Sequence, residues 1–260
     1  MNLGRVWAIF LRYFYSFAKL DQLADLFYWP AIDILLWGMT SVWMQGKQGI
    51  VSDTVLMILT GLIFWQVIWR STYEISVNLL QEFWNRNLVN LFSTPLKISE
   101  WMVATMLIGV LKIFVSLAFG GLLVWILYAL NVFSMGWAFI PFCVSLTLSG
   151  WLIGYLASSV LVYYGQRLQM LAWMAPFMIA PFSAVYYPVS VLPQWAQMIA
   201  YALPTTYIFE GMRKVLFEQE FSLFMLFMSL GLNILYLSGA IWLFKYMFEK
   251  SRSKGLSRLE

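Results

Sequence analysis

Residues 101–130 read WMVATMLIGVLKIFVSLAFGGLLVWILYAL, and this stretch decides the fold class. Its only charged residue is Lys112, and the rest of the stretch is strongly apolar. An apolar run of about 18 residues or more is long enough to cross a lipid bilayer as a helix. The stretch therefore predicts a transmembrane helix.

The composition of the whole chain extends this prediction. Hydrophobic residues make up 62% of the 260 residues and charged residues only 11%, whereas soluble domains carry about 25% charged residues. We therefore predict an all-α integral membrane protein with six transmembrane helices. Their expected limits are Leu26–Met44, Thr54–Trp69, Trp101–Leu130, Trp137–Tyr164, Leu168–Tyr187 and Phe221–Phe244.

Residues 1–25 are amphipathic. Arg5, Arg12 and Lys19 are spaced by seven residues and so share one face of a helix. The other side carries apolar and aromatic residues: Trp7, Phe10, Leu11, Phe14 and Phe17. A basic face opposite an aromatic face is typical of a helix that lies in the membrane interface, and we predict one here.

Two further segments favour short helices. Residues 80–95 combine an apolar face with a polar one and end at Pro95, which predicts a short amphipathic helix. In residues 188–220, Pro193 and Pro204 each suit the first residue of a helix. Because these two helices are too short to cross the bilayer singly, we expect them to enter the membrane and return.

The basic residues indicate an orientation. With both termini in the cytoplasm, only Lys47, Arg213 and Lys214 lie outside, and most other basic residues lie inside. Residues 245–260 then form a basic cytoplasmic tail. Since cytoplasmic loops are enriched in Lys and Arg, we predict this orientation, with residues 80–95 cytoplasmic and the two short helices of residues 188–220 external.

Several functional classes are excluded by what the sequence lacks. It has no histidine and one cysteine, Cys143, which excludes a disulfide framework and any site built on histidine. It also lacks the Gly-x-x-x-x-Gly-Lys-Ser/Thr loop that holds ATP phosphates. We therefore expect no catalytic residue, no metal and no bound cofactor in this chain.

Four charged residues fall in or beside predicted spans. They are Asp33, Arg70, Glu74 and Lys112. A charge near the bilayer centre costs about 2.5–3.5 kcal/mol on insertion scales, so each should face the protein interior or water. Arg70 and Glu74 are four residues apart and can form a structural pair. Lys112 could line a pathway, pair with Asp33 or extend to the interface.

The external segment carries the most specific local pattern. It contains Tyr187-Pro188-Val189-Ser190-Val191-Leu192-Pro193-Gln194-Trp195, then Leu203-Pro204-Thr205-Thr206-Tyr207, then Glu210-Gly211-Met212-Arg213. Together with the predicted arrangement of helices, this segment resembles the permease subunits of the type-two ABC exporter family. The resemblance covers essentially the whole chain.

The resemblance implies a half-transporter. A second copy of this or a related permease would complete the pathway, and two ATPase subunits would bind ATP and Mg and power export of amphiphilic substrates. Residues 80–95 would be the coupling helix that contacts the ATPase, through Glu82, Phe83, Asn85 and Arg86. Glu210 and Arg213 would either gate the outer mouth or form the solvated edge of their helix. A bacterial plasma membrane is the expected location, with the bilayer and no nucleic acid as a partner.

Two other functions remain open at this point. An ion-coupled secondary transporter could use the charges within the spans, and it would show internal repeats and broken helices. A membrane enzyme acting on lipid would need catalytic polar residues clustered at one membrane edge. The sequence shows no clear repeat and no such cluster.

Overall fold

The computed structural model of the protein describes residues 1–17, 19–45 and 53–256. All regular structure in these ranges is helical, which confirms the all-α prediction for this part of the chain. Residues 46–52, which connect the predicted first and second spans, lie outside the described residues. Lys47 and Arg258 lie outside them as well.

Five long helices form the body of the molecule. They are α2 (Leu20–Gln45), α3 (Asp53–Trp84), α5 (Ile98–Tyr128), α6 (Phe139–Tyr164) and α10 (Leu223–Ser253). Five shorter helices complete the described set. They are α1 (Leu3–Phe17), α4 (Leu88–Ser93), α7 (Leu171–Ile179), α8 (Gln194–Ala202) and α9 (Pro204–Arg213).

Four segments of the described chain are long and apolar enough to cross a membrane. They are Val55–Trp84, Ile98–Tyr128, Val132–Leu168 and Leu223–Ser253. With 26 residues, α2 is long enough, but it is not apolar enough to be counted with these four. The predicted number of six spans is therefore not confirmed.

The predicted fifth span, Leu168–Tyr187, is wrong in its extent. The apolar helical stretch there covers only Leu171–Phe182, which at 1.5 Å per residue is roughly 18 Å long and too short for a bilayer of about 30 Å. Pro181 follows the end of α7 within a short 3₁₀ turn. A proline cannot donate the backbone hydrogen bond that would continue the α-helix.

The extent of the predicted interfacial helix over residues 1–25 is also corrected. Helix α1 ends at Phe17, and α2 already begins at Leu20. The side chains of Val6, Ile9 and Tyr13 are buried, and α1 packs along α5. The N-terminal helix is therefore part of the packed body of the chain.

Residues 80–95 do not form one helix. Helix α3 continues to Trp84, and α4 begins only at Leu88. The break comes at Arg86, whose backbone takes a left-handed conformation with φ of 48°. Helix α3 continues because Leu80 and Phe83 are fully buried and extend its core-facing side. We call residues 85–97, between α3 and α5, the elbow.

Helix α6 lies at the centre, packed against both α3 and α10. Gly150 and Gly154 let α6 approach α3 closely, and Thr72 donates a hydrogen bond of 3.0 Å to the carbonyl oxygen of Gly150. The four-residue spacing of Gly150 and Gly154 is the small-residue pattern that favours close helix packing in membranes. On the α10 side, α6 forms a polar seam, in which the Ser149 hydroxyl donates to Asn233 over 2.9 Å.

The elbow and helices α8 and α9 lie at opposite ends of α10. Near its start, the Ser229 hydroxyl of α10 donates to the carbonyl oxygen of Pro204 over 2.7 Å. Near its end, Phe248 packs edge-on against Phe92 in α4, with ring centroids 4.7 Å apart. A helix of 31 residues is about 46 Å long. Ser229 and Phe248 are about 28 Å apart along the helix axis, so the two features lie toward different ends of α10.

The close approach of α3 and α6 gives a test of the fold. A Cβ atom at Gly150 would lie 2.8 Å from the carbonyl oxygen of Ile68 and would also collide with Ser71. We expect Gly150→Ala to lower the free energy of unfolding by about 1–3 kcal/mol, the usual cost of overpacking. Thermal denaturation of the detergent-purified protein measures the change.

Gly231→Ala is the matched control, because in the described part of the chain no atom outside its own helix turn lies within 4 Å of a Cβ built there. It should leave the melting temperature unchanged or raise it slightly, since alanine is the better helix former. Equal destabilisation by the two substitutions would contradict the described packing of α3 on α6.

Candidate functional site

A cluster of buried charges lies where α2, α3 and α5 meet. Lys112 places its Nζ 2.9 and 3.0 Å from the two carboxylate oxygens of Glu74. Arg70 places its Nη1 3.0 Å from Oδ2 of Asp25 and 3.7 Å from Oε1 of Glu74. Two cations and two carboxylates thus form one network, which we call the charge cluster.

Further contacts complete this network. Asn78 donates to the Glu74 carboxylate over 3.2 Å, and the Arg70 guanidinium lies 5.2 Å from the ring centre of Tyr73. Arg70, Glu74 and Lys112 are each no more than 5% exposed. Because removal of one member would leave a buried charge uncompensated, the cluster ties the three helices together.

The predicted charges within the spans are only partly brought together. Arg70, Glu74 and Lys112 meet, but Asp33 lies apart and accepts a hydrogen bond of 3.0 Å from Gln66. Lys112 therefore pairs with Glu74, a partner that was not among the alternatives considered from the sequence. Asp25 was missed. Its signal was a spacing of four residues from Trp29 and eight from Asp33, which puts all three on one helix face.

Glu82 forms a second buried junction, between α1 and the end of α3. Its carboxylate accepts hydrogen bonds from Arg12 and Tyr13, each over 2.9 Å, and from Asn87 over 2.8 Å. The Tyr13 hydroxyl in turn accepts one from Trp101 over 2.9 Å. Burial, followed by the charge of Glu82, raises the pKa of Tyr13. The junction fixes α1 to the start of the elbow.

This junction changes the expected contact surface. We predicted that Glu82 and Phe83 would touch a partner protein, but they are 1% and 0% exposed and lie inside the chain. Asn85 and Arg86 are exposed, as is Trp84, whose Nε1 donates to Gln169 over 3.3 Å. The surface that a partner can reach therefore begins at Trp84.

Glu100 anchors α1 at a second point. Its carboxylate accepts from the backbone N–H of Asn2 over 2.7 Å and from that of Lys97 over 3.0 Å. The guanidinium of Arg5 lies 3.7 Å from the same carboxylate and donates to the carbonyl oxygen of Pro95. The first helix is thus held to both ends of the elbow.

Glu210 and Arg213 lie together at the other end of the molecule. The Arg213 guanidinium donates to backbone carbonyl oxygens of Ala184 and Tyr187, and the Glu210 carboxylate accepts from the backbone N–H of Val189 over 2.7 Å. Burial lowers the pKa of Arg213, and the charge of Glu210 opposes this shift. The pair therefore holds the turn before α8, and Arg213 is not a solvated edge.

The acidic groups do not form a metal site in the part of the chain that the structure describes. There, no three Cys, Asp or Glu side chains come together as metal ligands would. In the charge cluster, Arg70 and Lys112 occupy the positions beside the carboxylates that a cation would take. The absence of a cofactor stays a prediction.

The charge cluster gives a second test. We expect Lys112→Met to lower the free energy of unfolding by about 3 kcal/mol, because it leaves the Glu74 carboxylate buried without its nearest cation. This loss of stability lies at the lower end of the usual range for a broken buried ion pair, because Nη1 of Arg70 remains 3.7 Å from Oε1 of Glu74. Unfolding in mixed micelles with increasing SDS measures the loss.

The double substitution Lys112→Met with Glu74→Gln should be more stable than Lys112→Met alone, because no uncompensated charge remains. Lys245→Met, at an exposed lysine of α10, serves as the control and should have little effect. If the double substitution were less stable by the sum of the two single losses, Glu74 and Lys112 would not be coupled.

Comparison with known proteins agrees with this architecture. A search of curated proteins gives no match. The family model described as ABC-2 type transporter matches residues 6–217, which is most of the chain. The match covers most of α1, the charge cluster, the elbow and helices α8 and α9. The resemblance stated from the sequence is therefore confirmed, and the chain belongs to the ABC-2 type transporter family.

Proposed function

We propose that this chain is the membrane-spanning subunit of an ATP-driven exporter that moves an amphipathic substrate out of the cytoplasm by alternating access. Membership of the ABC-2 family implies a partner ABC ATPase subunit. Two ATPase copies would act on two permeases, of which the second is this or a related chain. The observation that carries the proposal is the exposed elbow, which joins two membrane-length helices at one end of the bundle.

The elbow is suited to transmit a movement because it is anchored on several sides. Glu82 joins its start to α1, and Glu100 joins its end to the same helix. Phe92 packs on α10, and Trp84 bonds Gln169 in the turn before α7. A displacement imposed on the exposed residues would therefore reach most helices of the chain.

We propose that Glu82 and Phe83 position the coupling surface, whereas Asn85 and Arg86 contact the ATPase. The exposed backbone between α3 and α4 and the polar side chains around it are accessible to a partner. The buried carboxylate of Glu82 holds that surface against α1. Substitution of Glu82 would then weaken coupling to the ATPase, although the Glu82 side chain itself does not contact the ATPase.

The distribution of charge supports a cytoplasmic location for the elbow. Basic residues concentrate at this end of the molecule: Arg5, Arg12, Arg86, Lys97, Lys245, Lys250, Arg252 and Lys254. Cytoplasmic segments of membrane proteins carry such an excess. A plasma membrane with both termini inside, and helices α8 and α9 outside, remains our proposal for the topology.

The outer end has a different role in this proposal. Glu210 and Arg213 bond backbone groups of residues 184–189 and so fix the shape of the external segment. We propose that α8 and α9 move as one unit with the start of α10 when the outer side opens. Glu210 and Arg213 would then influence the outer opening by fixing the shape of residues 184–189.

The ion-coupled alternative has less support. Three of its four candidate charges belong to the charge cluster, where each is paired within the chain. A coupling ion would have to displace a cation that is already in hydrogen-bond contact. This pairing favours a structural role for the cluster.

Co-purification tests the proposal. The tagged chain, extracted in mild detergent from its native cell, should carry a nucleotide-binding ATPase at about one to one. Arg86→Glu should reduce the bound ATPase about tenfold, because an unfavourable charge at an interface costs at least 1.4 kcal/mol, or one factor of ten. The ratio of the two bands on a stained gel gives the result.

Lys214→Glu is the matched control, since it makes the same change of charge at the opposite end of the molecule. It should leave the amount of ATPase unchanged. If the wild-type chain brings no ATPase, the exporter proposal fails. If both substitutions act equally, the elbow is not the contact surface.

A further inference from the structure

One face of α2 alternates acids and tryptophans. Asp25, Trp29, Asp33 and Trp37 follow one another at intervals of four residues, and such positions share one helix face. The face extends about 18 Å along the helix, from the charge cluster at Asp25 to Trp37. There the ring of Trp37 stacks on Tyr186, with centroids 4.9 Å apart.

Helices α3 and α7 supply a second, aromatic wall. A groove of about 270 Å³ separates this wall from α2. The wall consists of Trp65, Trp69, Trp173 and Phe177. Phe177 lies 4.9 Å from Trp69 and 6.2 Å from Trp65, measured between ring centroids. The groove is therefore lined by aromatic rings from α3 and α7 and by Trp29 from α2.

Apart from the indole N–H groups of its tryptophans, the polar atoms that line the groove are mainly acceptors, those of Asp25, Asp33 and Gln66. Gln66, which is 4% exposed, donates through Nε2 to Asp33 over 3.0 Å. This bond fixes the orientation of the amide, and Oε1 of Gln66 then has no hydrogen-bond partner among the described residues. A buried acceptor without a donor costs about 1–3 kcal/mol. The groove thus contains an acceptor that a ligand could satisfy.

The charge of Asp33 is not balanced in the same way as that of Asp25. The Asp25 carboxylate pairs with Arg70 at 3.0 Å. In the described ranges, by contrast, no Lys or Arg nitrogen lies within 4.0 Å of the Asp33 carboxylate. An ionised Asp33 would leave the groove with an excess negative charge.

We propose that this groove binds the cationic headgroup of an organic amine, and, resting on the function proposed above, that such cations are substrates of the exporter. A protonated amine supplies the positive charge that Asp33 lacks and an N–H donor for Oε1 of Gln66. Tryptophan faces attract organic cations, by about 2 kcal/mol or more where water is excluded. Drug-sized ligands need about 300–1,000 Å³, so the groove takes a headgroup and leaves the remainder outside.

Ethidium is a suitable probe because it is a planar aromatic cation with amino donors and its fluorescence reports binding. The full-length chain is placed in nanodiscs of neutral phosphatidylcholine, which removes attraction to anionic lipid. We expect saturable binding that Asp33→Asn weakens about tenfold or more, because the neutral amide no longer makes a charge-assisted hydrogen bond with the cation. Gln66→Met should also weaken binding, and Asp33→Glu should retain most of it.

Two controls separate the groove from general effects. Glu249→Gln neutralises an exposed acid on α10, and Trp125→Leu removes a tryptophan that is 63% exposed on α5. Neither should change ethidium affinity, whereas Trp29→Leu should reduce it. Gel filtration and the melting temperature show that each variant is folded. Should Asp33→Asn fail to fold, Gln66→Met and Trp29→Leu decide the question.

The outcomes distinguish this proposal from the one on which it rests. Unchanged ethidium affinity in the folded groove variants would overturn the cation site, even if an ATPase co-purifies. Binding that depends on Asp33 without an associated ATPase would support the site and overturn the exporter function. Competition by an uncharged glycoside as strong as that by an amine would show a sugar site and also overturn the proposal.

Discussion

Charge burial in an apolar bundle is the constraint on which this structure depends. Lys112 and Glu74 lie 2.9 Å apart in helices that are mostly apolar, and Arg70 links Glu74 to Asp25 of α2. Each carboxylate has a cation within reach, so the cluster carries no net charge. Because an unpaired charge there would be expensive, α2, α3 and α5 are held in one relative position. The groove and the elbow both depend on this arrangement of α2, α3 and α5.

The elbow and the groove are connected through the same helices. Helix α3 carries Gln66 in the groove, Arg70 and Glu74 in the charge cluster, and Glu82 at the elbow. Asp25 belongs both to the groove and to the charge cluster. A movement of the elbow would therefore act on the groove through one continuous helix. This geometry offers a physical route from a motor at one end to a ligand between the helices.

Much of the fold could be predicted from the sequence, because long apolar runs and proline-started segments are local signals. The helices around Lys112 and those after Pro193 and Pro204 lie where these signals place them. The extents of the helix over 80–95 and of the span after Leu168 were wrong, since tertiary burial of Phe83 prolongs α3 and Pro181 shortens α7. The periodicity of apolar residues along the sequence reports neither the tertiary burial of Phe83 nor the shortening of α7 at Pro181.

The site was less predictable, because its pairs join distant parts of the chain. Lys112 is as compatible with Asp33 as with Glu74 until the helices are packed, and only packing decides. The close approach at Gly150 and Gly154 has a readable signal in the four-residue spacing of these glycines. The spacing of Asp25 from Trp29 and Asp33 is a second such signal. Both patterns require comparison of residues one turn apart.

Photo-crosslinking from the elbow in intact cells tests the central claim most directly. In one variant, a photoreactive phenylalanine derivative replaces Asn85, which is exposed between α3 and α4. In a reference variant, the same derivative replaces Lys214. Our account predicts a crosslink from residue 85 to a nucleotide-binding ATPase and none from residue 214. A chain that crosslinks to no ATPase from residue 85, while substrate export continues, would contradict it.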